Sequence, residues 1–305
     1  MTQIRDDRRN FRLDKEYQPQ KFFEHAVHNH WDPYEDVPQE LLVADREKLV
    51  DHGLTNDEFQ EFMKALALFG AGEEAVTEDL VPLLSVLEDI DDQMFVSSQI
   101  YEEAKHTQFF DRYWREVVFP VAEVLGYEKV YPTDQRFFMD GYVSLFDKNE
   151  TAMDRLLEAD TPENRADAYC HYHLTVEGVV AQTAYYGFES AFSSRADDIS
   201  AREYPDLDGL IEGTSFVRSD EGRHVGFGLF KIRQLLERGV DESVVHETMT
   251  DLLPDVFDMF EEFGLLFEAD ALVEYASEKF DHRMNTITDD DRALPPVERL
   301  VRVER

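Results

Sequence analysis

Two stretches of this chain place a glutamate and a histidine three residues apart, Glu103-Ala-Lys-His106 and Glu221-Gly-Arg-His224. On a helix that spacing stacks both side chains on one face, so a carboxylate oxygen and an imidazole nitrogen can reach one cation. One such pair means little in an acidic chain with 10 histidines, where a surface ion pair is the plain alternative. Here each pair lies in a long amphipathic stretch with apolar neighbours, Phe109 and Phe110 after His106 and Phe227 after His224. A carboxylate-bridged dinuclear centre in a helical bundle needs two such helices, plus one inward glutamate from each of two others. The chain offers both: Glu73 or Glu74 in GAGEEAVTEDLVPLL, and Glu177 as the only acidic residue of YHLTVEGVVAQTAYY. A carboxylate in so apolar a run is costly unless it is paired or metal-bound. Four carboxylates and two neutral imidazoles carry four negative charges, which two divalent cations neutralise. Oxidising both ions would attract further anions, including a carboxylate-bearing molecule. Glutamate and histidine suit manganese and iron alike.

The elements that position these residues read as helices, because apolar positions recur every three or four residues and glycine and proline are few. Helical patterns run from Glu40 to Val50, from Thr55 to about Ala71 and from Glu73 to Leu87, with Thr55 and Glu58 as a capping box. Asp91 or Asp92 opens a helix that Pro120 ends or kinks. Another spans Asp134 to about Leu157, and Thr161-Pro162-Glu163 starts one that continues past Tyr186. Ser193 to Asp208 reads as an exposed connection. Helix resumes from Leu210 to about Arg238, and a last pair ends near Lys279. Residues 1–37 read as an extended arm and 281–305 as a partly unstructured tail on a single all-α domain, 1–305. The run Phe257, Phe260, Phe263 and Phe267 reads as core or dimer interface rather than as a substrate channel.

The charge balance narrows the setting. With 67 acidic against 30 basic residues the formal charge is -37, which excludes nucleic acid as a partner. The acidic residues are spread among apolar positions, the pattern of a solvated surface on a folded protein, and a salty cytoplasm explains their excess. At molar salt the Debye length falls to about 3 Å and screens the self-repulsion. The lone cysteine, Cys170, permits no intrachain disulfide and fits a cytoplasmic location. No 18-residue apolar run is present, so no transmembrane segment is expected, and the charged start MTQIRDDRRNFRLDKEYQ does not read as a signal peptide.

At GEEAVTEDLVPLL, EEAKH, YHLTVEGVVAQT and DEGRH the chain resembles the small subunit of class I ribonucleotide reductase. It is more similar to that subunit's relatives, the ligand-binding oxidases with a mixed manganese and iron site. The resemblance covers about residues 40–275, with the four motifs in family order. It implies a ferritin-like four-helix bundle extended by further helices, working as a homodimer. It selects Glu73 over Glu74, giving Glu73, Glu103 and His106 at a first metal and Glu177, Glu221 and His224 at a second. It further implies O2 activation, an ether crosslink between Val76 and Tyr172, and a long-chain fatty acid at the metals.

Val76 lies one turn after Glu73, as periodicity requires. Tyr172, five residues before Glu177, falls about 140° around an ideal α-helix, so spacing alone selects His173 instead. Two features argue against a reductase subunit: Phe110 stands where the resemblance implies a radical-forming tyrosine, and the terminal VERLVRVER has no aromatic residue. A reductase subunit and a metal- or lipid-binding protein without turnover are the rival readings.

Overall fold

The computed structural model describes residues 13–194, 204–288 and 294–300. Among these the regular elements are helical. In chain order they are α1 (Gln18–His28), α2 (Gln39–His52), α3 (Asn56–Val86), α4 (Ile90–Tyr113), a π-helical stretch (Trp114–Val118) and α5 (Phe119–Leu125). A 3-10 turn (Gln135–Phe137), α6 (Asp140–Glu158), α7 (Pro162–Tyr169), a second π-helical stretch (Cys170–Ala181) and α8 (Gln182–Phe192) follow. The chain closes with α9 (Asp208–Glu237), α10 (Glu242–Glu261), α11 (Ala269–Thr288) and α12 (Val297–Leu300). The all-α expectation holds. No described helix is long and apolar enough to cross a membrane.

Local chemistry explains several boundaries. The capping box at Thr55 forms, with Glu58 N–H donating to Thr55 Oγ1 at 3.3 Å and Thr55 N–H to Glu58 Oε2 at 2.8 Å. Asp89 and Thr161 cap α4 and α7 through their side chains. At α9 the N-cap, Leu207, has no side-chain acceptor. Asp45 of α2 takes over, receiving Gly209 N–H at 3.1 Å and Leu210 N–H at 2.9 Å. Burial pushes the Asp45 carboxyl up to about 6 despite these donors.

The structure revises four boundaries. The two patterns expected between Thr55 and Leu87 are one helix, with Pro82 inside it. Pro120, expected to end or kink its helix, does not end it: the backbone stays helical from α4 through Trp114–Val118 into α5, and the π-helical register directly before Pro120 marks the local distortion. The helix expected to end near Lys279, α11, runs nine residues further, to Thr288, and α12 follows it. The extended arm contains α1, which packs on α4 and α9 and buries Phe22. Of the tail, Leu300 is buried against the core, and 289–293 and 301–305 lie outside the described residues. So does most of the 193–208 connection.

One contiguous apolar core extends from Phe22 to Leu300. Its centre is the meeting of α3, α4, α9 and the Cys170–Ala181 stretch. Close approach is built in: a Cβ on Gly213 of α9 would lie 2.0 Å from the Phe109 ring of α4.

Candidate metal centre

Each of the four central elements contributes to one buried cluster. α3 supplies Glu73, α4 Glu103 and His106, the π-helical stretch Glu177, and α9 Glu221 and His224. Ligand atoms of Glu73, Glu103, His106 and Glu221 all lie within 4.8 Å of one another, and so do those of Glu103, Glu177, Glu221 and His224. Glu103 and Glu221 are common to both groups. All six residues are buried, and Glu74, the alternative to Glu73, is exposed.

Both imidazoles point Nδ1 at the carboxylates. His106 Nδ1 is 3.3 Å from Glu73 Oε2, 3.2 Å from Glu103 Oε2 and 3.5 Å from Glu221 Oε1. His224 Nδ1 is 3.0 Å from Glu221 Oε2, 3.1 Å from Glu103 Oε1 and 3.4 Å from Glu177 Oε1. The outward nitrogens are held crosswise. His106 Nε2 lies 3.1 Å from Asp220 Oδ2, the residue before the α9 glutamate, and His224 Nε2 lies 2.9 Å from Glu102 Oε2, the residue before the α4 glutamate. Arg223 donates to both of these outer carboxylates, at 2.5 Å each. A carboxylate behind a histidine fixes its tautomer and raises its basicity, the usual support of a metal-ligating imidazole.

Protonation follows from crowding. Burial pushes Glu73 up to about 8 against the pull of His106, and burial together with Glu221 drives Glu177 well above the carboxylate range. Glu103 is also buried, but His224 and His106 outweigh that and hold it well below. Burial lowers the imidazoles, and the facing carboxylates more than reverse it: Glu73 foremost for His106, Glu103 foremost for His224. The Glu177 Oε2 atom is buried with no hydrogen-bond partner. Four convergent carboxylates, two oriented imidazoles and one orphaned oxygen fit a pair of cations.

Tyr172 reaches the same cluster, donating from Oη to Glu103 Oε1 at 2.8 Å. The π-helical stretch makes this possible. Its hydrogen bonds join residues five apart, so Tyr172 and Glu177 fall about one turn from each other instead of 140° apart. His173, the choice by α-helical spacing, is a fully buried core histidine whose Nε2 faces Gln99 at 3.3 Å. Val76 is buried on α3 and lines a cavity with Glu73, Glu103, Glu177 and Glu221 at its edge.

That cavity is overwhelmingly apolar. On α3 its wall runs from Val76 back to Ala65, a rise of ~16 Å at 1.5 Å per residue. Phe260, Phe263 and Phe267 belong to the buried core, as their spacing suggests, and also form part of the cavity wall; Phe257 packs against the core and does not line the cavity. Glu61 accepts the backbone N–H groups of Gly264, Leu265 and Leu266, holding the loop between these phenylalanines.

Four neighbours of the cluster escaped sequence reasoning. Trp31 stacks on His106 with ring centroids 6.2 Å apart and donates its indole N–H to Asp220 Oδ2 at 2.8 Å. Nothing in its local sequence signals this. Tyr185 is buried with no partner for its hydroxyl, and burial and then Glu221 and Glu73 raise its phenol. Glu102 and Asp220 had a signal, since an acidic residue precedes the glutamate in both motifs.

No family model matches the sequence. Among solved structures, a tyrosine-to-phenylalanine variant of an R2-like ligand-binding oxidase with an aerobically reconstituted Mn/Fe cofactor superposes with a TM-score of 0.74. The two are 26% identical over 90% of this chain and 95% of the other. A valine-to-leucine variant with an anaerobically reconstituted Mn/Fe cofactor gives 0.74 at 27% identity, with the same coverage. A glycine-to-phenylalanine variant gives 0.73 at 28%, covering 90% of this chain and 96% of that one. The chain is similar to the R2-like ligand-binding oxidases. This agrees with the resemblance carried by the four motifs and with a ferritin-like helical bundle. Phe110 stacks on Phe69 with ring centroids 5.1 Å apart and offers no hydroxyl.

Proposed function

We propose that this protein is an O2-activating oxidase, an oxidoreductase whose cluster holds one manganese and one iron ion. The observation that carries the reading is the pair of overlapping buried ligand groups sharing Glu103 and Glu221. Glu73, Glu103 and His106 serve the first ion, and Glu177, Glu221 and His224 the second. When bound, the ion pair supplies a site for dioxygen and the oxidising power to attack a strong carbon–hydrogen bond.

The protein's residues do the rest. The four carboxylates balance two divalent charges in an interior that excludes water. Tyr172 is held by Glu103 with its hydroxyl at the cluster, and Val76 stands at the cavity edge. In the internal reaction the Tyr172 oxygen forms an ether bond to the Val76 side chain. One hydrogen leaves the hydroxyl and one leaves carbon, and dioxygen takes up the two electrons and two protons. The apolar cavity, carboxylates at its edge, suits a long-chain fatty acid or similar lipid-like molecule whose head group reaches the ions. The resemblance adds a homodimer, and the charge of -37 with a single buried cysteine supports a cytoplasmic, salt-rich setting.

Aerobic loading with both metals should lower the intact mass by two hydrogen atoms in the native protein, and leave it unlowered in Tyr172→Phe with metal still bound. An equal loss in that variant refutes the crosslink. Anomalous diffraction at both metal edges identifies the ions and any bound ligand. Oxygen uptake over many turnovers with a fatty acid present separates an oxidase from a binding protein.

A further inference from the structure

An imidazole, an amide and a phenol stand in a row beside the cluster, none of them among the six candidate ligands. Gln99 lies one turn before Glu103 on α4 and is fully buried. Its Nε2 is 3.2 Å from Tyr172 Oη and 3.3 Å from Glu177 Oε1, and its Oε1 is 3.3 Å from His173 Nε2. His173 is enclosed by the rings of Tyr172, Tyr169 and Phe227, at centroid distances of 4.6, 5.3 and 5.6 Å. On its far side, a Cβ on Gly228 would lie 2.3 Å from His173 Cβ, so only glycine lets α9 pass and the imidazole has little room to swing.

Hydrogen-bond accounting then fixes the direction of each group. His173 Nδ1 is buried without a partner. An orphaned buried N–H is rarer than an orphaned acceptor, so Nδ1 is the bare nitrogen and Nε2 carries the hydrogen. Burial favours this neutral form. His173 Nε2–H donates to Gln99 Oε1, which forces the amide nitrogen toward Tyr172 and Glu177. The phenol oxygen accepts that N–H and sends its own hydrogen to Glu103 Oε1 at 2.8 Å. A reversed amide would set an acceptor against both Tyr172 Oη and Glu177.

We propose that Gln99, oriented by His173, is a positioning residue that aims the Tyr172 hydroxyl at Glu103, so that the phenol gives up its hydrogen on that side as its oxygen forms the ether bond. The inference rests on the crosslinking reading above, and adds to it the residues that set the geometry of the attacking oxygen.

The test uses Gln99→Met, close in size without polar hydrogens, Gln99→Glu, the same shape without an N–H, and His173→Phe. In protein loaded aerobically with both metals, the Gln99 variants should keep two ions per chain while the crosslink forms at least about tenfold more slowly by intact mass. His173→Phe should slow it by about threefold, because the amide is then free to turn over. Crystals of the metal-free variants give a second readout, in which Tyr172 Oη leaves Glu103 in Gln99→Met and Gln99→Glu. Crosslinking at the native rate in both Gln99 variants overturns the proposal, and so does a Tyr172 that stays in place in both. If the native protein forms no crosslink, the crosslinking reading fails, and the metal-free crystals alone decide whether Gln99 aims Tyr172.

Discussion

The two halves of the cluster are alike in their ligands and unlike in what stands behind them. Each half has a Glu-x-x-His helix, and each histidine is backed by the acidic residue that precedes the other helix's glutamate. Behind His106, Asp220 also receives Trp31 and Lys105, so that side is a charged and aromatic network closed by α1 and the turn after it. Beside Glu177 stand Gln99, Tyr172 and His173, and the apolar cavity opens nearby. On the proposed reading, the near-symmetric groups would set where two ions sit, and the unsymmetric surroundings would place the oxidisable side chain and the cavity on one side.

Removing what the halves share should have the largest effect. Glu221→Ala takes a carboxylate from both groups, and elemental analysis should find fewer than one ion per chain. Arg223→Met keeps the ligands but removes the guanidinium that Glu102 and Asp220 share, leaving Glu102 with His224 and Asp220 with Lys105, Trp31 and His106. Breaking a buried ion pair from one side costs about 3–5 kcal/mol, which a denaturant titration of the metal-free protein would read. Single changes behind one histidine should then separate the halves. Asp220→Asn should weaken the His106 half, and Glu102→Gln the His224 half, by about 10–100-fold in metal affinity. Equal loss at both halves in either variant would mean the cluster responds as one unit.

A pH experiment sharpens the comparison further. Glu73, with an ordinary value of 4.5 and a folded value of about 8, binds a proton more tightly when folded. Its contribution to metal-free stability is therefore greatest at low pH and declines as pH rises through that window. The raised histidines act in the same sense. Ions must displace these protons, so metal affinity should rise with pH by about tenfold per unit for each proton released. Calorimetry in two buffers of different ionisation enthalpy counts them. The smallest effect concerns the surface: the melting temperature should fall in dilute buffer relative to molar salt, by several degrees, as screening of the acidic surface is lost.

The helices and five of the six cluster residues were legible because 3.6-residue periodicity and the Glu-x-x-His spacing are local properties, and because Glu177 is a lone acidic residue in an apolar run. The choice of Glu73 over Glu74 was not, since neighbours on a helix differ only in which face the rest of the fold covers. Tyr172 was hidden because its alignment with Glu177 depends on a π-helical register that α-helical counting misses. Trp31 was hidden because a residue preceding the bundle reached His106 only through tertiary packing. The phenylalanines at the cavity wall have the spacing of core residues, and whether such residues enclose a space or fill one depends on what lies across from them.

The π-helical stretch also constrains how this site changes over generations. A π turn accommodates more residues than an α turn, so Cys170–Ala181 resembles an α-helix that has absorbed an insertion. Losing a single codon between Tyr172 and Glu177 would let the segment tighten and rotate the tyrosine off the cluster, while the six carboxylate and imidazole residues stayed on their helices. A metal-binding bundle could thus gain or shed an oxidisable side chain in one genetic step.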